Sequence, residues 1–259
     1  LLVNISSEYY VSGLLYPNTY HSPTQVMMRS LSVWLFITLI TLPKDSVNMR
    51  YLIMRWGWIT LLVVALTITK PNYTFVIMPA YVALLCWQAL LKREVTCNEL
   101  ITAGVLVLSG VLILGWQFVT LSSGASQVGE TQILIAPFAF YSLWDIAIPM
   151  VVLQWGVSLI FPLVLVIAFF KQAWQDESLT LAWITLVGAI MIATLFIETP
   201  RSADGNFLWS TRIANLILFA NSAGFLLRRA QELGWHYLTV IVCSGLFLAH
   251  VINHIIVLN

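Results

Sequence analysis

The chain has 259 residues, of which 60% are hydrophobic and 9% charged, with a formal net charge of +1 and a mean hydropathy of +0.90. This balance lies outside the range of soluble domains and points to an integral membrane protein. It also excludes a polycationic nucleic-acid surface, because the 12 Lys and Arg residues are spread along the chain and nearly matched by 11 Asp and Glu.

Cys86, Cys97 and Cys243 are far apart and form no CxxC or Cys/His spacing, so no disulfide framework, metal site or cofactor is expected. A helix needs roughly 20 apolar residues to cross the hydrocarbon core, and runs of that length recur between short polar breaks. The expectation is an all-α, polytopic transmembrane bundle of about eight spans over residues 26–259, preceded by an extracytoplasmic segment, 1–25. The runs are too long and continuous for a membrane β-barrel.

In chain order, the first 25 residues carry a sequon at Asn4 and no basic region ahead of a short apolar stretch, so no signal peptide is expected. "YPNTYHSPTQVMMRS" brings His21, a capping Ser22, a helix-starting Pro23 and Arg29, one to two turns into the first span (26–42). Lys44, Arg50 and Arg55 flank the break before span two (51–69). "TKPNYT" follows, with Lys70 and a second sequon at Asn72. Span three (72–91) contains Pro79 and ends at Lys92 and Arg93, and span four (100–121) is thinned by Gly104, Gly110 and Gly115, which permit close helix packing. The loop 122–146 is Ser/Gly-rich, then apolar and aromatic at Phe138, Phe140, Tyr141 and Trp144. Two readings are open for it: a lid over a lipid groove with Glu130 and Asp145 at its ends, or a packed outer loop. Span five (147–170) contains Pro162 and precedes Lys171. Span six (178–197) runs into "ETPRSADGNFLW", span seven (207–227) into Arg228 and Arg229, and span eight (236–257) carries His250 and His254. The two histidines share a helix face, but without an accompanying carboxylate they read better as a polar helix end than as a metal pair.

Cytoplasmic loops retain Lys and Arg. Eight of the 12 basic residues fall at the odd-numbered breaks, which are therefore assigned to the cytoplasm. Both ends of the chain then lie outside, and an outside amino terminus calls for an upstream helix to lead it across. Four cations run against this sidedness: Arg29, Lys70, Arg201 and Arg212. Arg212 stands inside an apolar span, at a cost of about 3 kcal/mol unless it is paired or faces water. Glu198, Arg201 and Asp204 follow at intervals of three and approach one another if the preceding helix continues a turn. Pro200 and the "DG" at 204–205 favour a turn instead, with Asp204 capping the next helix. The stretch is thus either a capped turn with a surface ion pair or part of a site in which Glu198 or Asp204 partners Arg212. Arg holds phosphate through a bidentate fork and Lys as a point charge, so the four cations suit a lipid-linked phosphate; alternatively, each snorkels separately to headgroups.

"YPNTYHSPTQVMMRS", "TKPNYTFVIMPA", "IAPFAFYS" and "ETPRSADGNFLW" resemble recurring motifs of bacterial multi-pass membrane proteins of surface-polysaccharide synthesis. The layout resembles the C-terminal portion of GT-C-type glycosyltransferases. That resemblance implies an inner (plasma) membrane protein acting on a polyprenyl-phosphate-linked sugar at the extracytoplasmic face, with other membrane subunits as further partners. Arg29, Lys70, Arg201 and Arg212 would neutralise the phosphate, Glu198 or Asp204 would orient an Arg or act as general base, and His21 would shuttle a proton. The chain departs from the pattern in having only Glu8 as an acid before span one, and in lacking a glycine between the acid and arginine of "ETPR". The alternatives are a lipid-linked-glycan transporter or flippase, which calls for polar residues in the inner half (Gln88, Gln117 and Gln154 are the candidates), and a non-catalytic assembly subunit.

Overall fold

The computed structural model describes residues 23–43, 48–91, 93–124, 132–143, 147–199 and 207–258. His21, Arg201 and Asp204, together with Glu130, Asp145 and most of segment 1–25, lie outside the described residues. The elements are α1 (Pro23–Ile40), α2 (Met49–Thr69), α3 (Asn72–Leu90), α4 (Cys97–Gly124), β1 (Gln132–Ile135), α5 (Ala139–Leu143), α6 (Ile148–Ala168), α7 (Phe170–Ala173), α8 (Glu177–Leu195), β2 (Phe196–Thr199), α9 (Leu208–Leu233) and α10 (Leu238–Leu258). Each apolar run expected from the sequence falls on a helix of 18 residues or more. Among the described residues, α2, α3, α4, α6 and α8 are long and apolar enough to cross a membrane. The surface agrees with that reading, since Leu90, Phe118 and Ile167 are about three-quarters exposed, and large open apolar patches belong against lipid or a partner.

Short links make successive long helices antiparallel. The starts of α1, α3, α6 and α9 therefore lie at one end of the bundle with the ends of α2, α4, α8 and α10, here called the Trp209 end. α3 is the most buried of the five membrane-length helices, with 56% of its apolar window inside the fold. It packs against α2, α4, α8 and α9; α1 leans on α2, while α6 and α10 pair and lean on α9. Phe161, Phe219 and Phe247 meet at ring-centroid distances of 5.0–5.4 Å where α6, α9 and α10 join.

Local chemistry sets the helix ends. Thr96 and Glu99 form a reciprocal capping box at the start of α4: the Thr96 amide donates to Glu99 Oε2 (2.8 Å) and the Glu99 amide to Thr96 Oγ1 (3.3 Å). Asp176 caps α8 by accepting from the Leu179 amide at 3.0 Å, and it pairs with Arg228 of α9. Of Gly104, Gly110 and Gly115 in α4, only Gly110 has a close neighbour: a Cβ there would meet Met78 Sδ of α3 at 2.0 Å, whereas Gly104 and Gly115 have open space beside them.

Two features differ from expectation. The helix before Glu198 stops at Leu195, and the chain continues as β2, antiparallel to β1 with Glu198 opposite Ile133. The outer loop supplies that partner strand, and its Ala136 and Phe138 amides go on to donate to the Leu195 and Thr194 carbonyls at 2.8 and 2.7 Å. These loop residues thus satisfy carbonyls that a helix C-terminus leaves open. The cap position of α9 belongs to Phe207, which makes no side-chain cap bond, and the capping expected of Asp204 lies outside the described residues.

Candidate functional site

Lys70 is projected at a corner made by its neighbour. A residue before proline is pushed out of the helical region, and Lys70 takes φ −165°, ψ 112° immediately ahead of Pro71, at which α3 begins. The corner is pinned by Thr67 Oγ1 and Thr74 Oγ1, 2.9 Å apart, and by Gln117 Nε2 of α4 donating to the Thr67 carbonyl at 3.0 Å. Gln117 therefore belongs to the Trp209 end, because α4 runs toward that end.

The first turn of α9 meets this corner. Trp209 is buried at 7% exposure, with Lys70 Nζ 5.4 Å from its ring centroid and Arg212 Cζ 4.5 Å away. Each such cation–π contact contributes about 0.5–2 kcal/mol, the larger value when desolvated. Arg29, in the second turn of α1, stands toward the same end of the bundle, and α1 is itself in contact with α9. All three cations are half-buried, and Arg29 has no ion-pair partner among the described residues. Three cations from three segments of chain thus stand at one end of the bundle, two of them on the same indole.

A second polar layer lies one turn deeper. Three residues after each cation, about 4.5 Å along the helix axis, stands a fully buried polar residue: Ser32 after Arg29, Tyr73 after Lys70 and Asn215 after Arg212. The Ser32 and Tyr73 hydroxyls and both polar atoms of the Asn215 amide have no hydrogen-bond partner, nor does Thr211 Oγ1 on the same face of α9 as Asn215. Each unsatisfied buried group costs about 1–3 kcal/mol. Buried polar groups of this kind on α1, α3 and α9 can take a polar ligand or water as partner.

Of the residues singled out from the sequence, Arg29, Lys70 and Arg212 are brought to one end of the bundle. Glu198 stands half-buried on β2 at the same end of the bundle. The outer loop is packed in its described part: Tyr141 is buried with Val151 and against Trp155 and Leu208, and burial pushes its phenol up from its ordinary value. Trp209 was not singled out, although a tryptophan one turn ahead of an in-span arginine was a usable signal. Ser32, Tyr73 and Asn215 left no such mark, because their lack of partners is a tertiary property. His250 ties α10 to α6, its ring nitrogens 3.0 Å from the Leu246 and Val157 carbonyls. No group of three metal-ligating side chains occurs among the described residues. Asn72 is buried, so its sequon is closed to glycosylation in the folded chain. Comparisons with protein-family models, curated proteins and solved structures each found no match.

Proposed function

We propose that the chain is a multi-pass membrane protein of about eight spans, resident in a bacterial inner membrane, which binds the phosphate of a polyprenyl-linked sugar at the Trp209 end and serves sugar transfer in envelope polysaccharide assembly. The observation that carries this reading is that Lys70 and Arg212 share the ring of Trp209 at the end of the bundle where Arg29 also stands. Arg and Lys side chains at this depth supply the positive charge and the N–H donors with which a phosphate is held. The positive-inside rule places the other end, with Arg50, Arg55, Arg93, Lys171, Arg228 and Arg229, in the cytoplasm, and so puts the phosphate outside.

In such a transfer, an acceptor hydroxyl oxygen forms a bond to the anomeric carbon while the bond from that carbon to the phosphate oxygen breaks. The electron pair remains on the phosphate, where Arg29, Lys70 and Arg212 stabilise it, and the hydroxyl proton passes to a carboxylate. Glu198 is the described candidate for that base, with Asp204 and Arg201 in the neighbouring segment and His21 as a proton carrier. Arg212→Gln and Glu198→Gln, made separately in a polymer-producing cell, test the reading by protein level and polymer output. Arg212→Gln should accumulate normally and lose output by about tenfold or more, the worth of a charged hydrogen bond. Loss of the protein in proportion to its product would instead identify Arg212 as a structural residue.

A translocator for the same lipid is the second reading, and one observation favours it. Unpartnered buried polar atoms continue toward the cytoplasmic end, at Ser222, Gln88 and Thr180. Movement of a labelled lipid-linked sugar across vesicles without any acceptor would select this reading over transfer.

A further inference from the structure

A second site lies at the opposite end of the bundle, between the end of α1 and the start of α2. There a groove of about 330 Å³ falls within the range of small-molecule sites, roughly 300–1,000 Å³. Its polarity changes along its length. Thr41 and Tyr51 stand at the rim, and Trp34 and Trp58, seven residues further in on their helices, mark its deep end, about 10 Å away at the helical rise. Ile37 and Met54 complete the apolar wall, and Trp34, Trp58 and Met54 are 58%, 46% and 68% exposed. Near the rim the groove holds one charge, Arg55, with no carboxylate in its lining, and the exposed Arg50 lies one turn before Met54.

Arg55 has donors to spare. Its Nη2 donates to the Thr38 carbonyl and to Thr41 Oγ1 (2.6 Å), and its Nη1 donates to Tyr51 Oη at 2.9 Å. Nε is buried and has no partner. Of the five N–H donors of a guanidinium, those three bonds leave two unused. The full positive charge also remains, because every acceptor in the set is neutral.

We infer that this groove binds one anionic glycerophospholipid, its phosphate at Arg55 and one acyl chain laid along Trp34 and Trp58. The polar rim and the apolar depth, which ends at the two tryptophans, follow the order of headgroup and acyl chain in a leaflet. The cation supplies the complementary charge on the side where anionic lipids meet basic residues. This site is separate from the Trp209 end, and its test does not depend on the transfer reading.

The test uses the full chain reconstituted in vesicles. Tryptophan quenching by brominated phosphatidylglycerol is compared with quenching by brominated phosphatidylcholine at equal mole fraction, and the Trp34→Phe/Trp58→Phe variant identifies the signal from the groove. The wild type should prefer the anionic lipid about fivefold, as expected for one basic residue at a charged headgroup. Arg55→Lys and Thr41→Val should retain the preference, and Arg55→Gln should abolish it. Equal quenching by the two lipids in the wild type would overturn the inference, even if Arg55→Gln fails to fold. So would a preference that survives Arg55→Gln, or one lost equally in Thr41→Val, which keeps the charge and breaks only a tie between the helices.

Discussion

Lys70 and Arg212 share the ring of Trp209, and removing that ring should separate binding from folding. Trp209→Phe keeps an aromatic face, while Trp209→Leu keeps only apolar volume. The leucine variant is expected to lose about 0.5–2 kcal/mol for each cation it no longer holds, each loss read as an affinity for a lipid phosphate weaker by about 2- to 30-fold; the phenylalanine variant should lie between it and the wild type. Asn215 gives the complementary prediction. Its amide is fully buried with both polar atoms unpartnered, and leucine has nearly the same shape. Asn215→Leu should therefore raise the melting temperature, by relieving about 1–3 kcal/mol of desolvation, while weakening binding of a lipid carrying a neutral polar headgroup beyond its phosphate. A lower melting temperature with unchanged binding would show the amide to be a structural group. Sequence sidedness singled out Arg29, Lys70 and Arg212 because cations are rare on that side. It was blind to Trp209 and Asn215, whose significance comes from neighbours more than 100 residues away in the chain, such as Lys70.

At the scale of elements, long apolar runs announced the helices, because a lipid core demands about 20 apolar residues and leaves little freedom in reading them. The pairing of β1 with β2 was not legible. Four-residue strands carry too little alternation to be distinguished from interfacial loop, and the two are over 60 residues apart. The glycines of α4 show the same limit: spacing marked Gly104, Gly110 and Gly115 as equivalent, and only Gly110 faces a neighbour. Gly110→Ala is expected to displace the flexible Met78 thioether and destabilise the protein by about 1 kcal/mol, the low end of overpacking costs, measured by thermal unfolding in detergent. Met78→Ala should recover part of the loss, and Gly104→Ala and Gly115→Ala should be neutral or mildly stabilising. Equal effects at all three positions would contradict a specific α3–α4 approach.

For the whole molecule, orientation is the property on which the site's function depends. Cys97 is exposed at the start of α4, on the basic end of the bundle. In a chain whose other cysteines are replaced by serine, a membrane-impermeant maleimide should leave it unlabelled in intact cells and label it in inverted vesicles. The reverse pattern would put the Trp209 end in the cytoplasm and remove the case for an outside phosphate. The central claim, that the gathered cations hold an anionic lipid headgroup, is tested most directly by titrating the purified full chain with a polyprenyl phosphate in nanodiscs at two salt concentrations. Saturable binding that weakens with salt, and falls about tenfold or more in both Arg29→Gln and Arg212→Gln, is the predicted result. Affinity that is unchanged in both folded variants would contradict it.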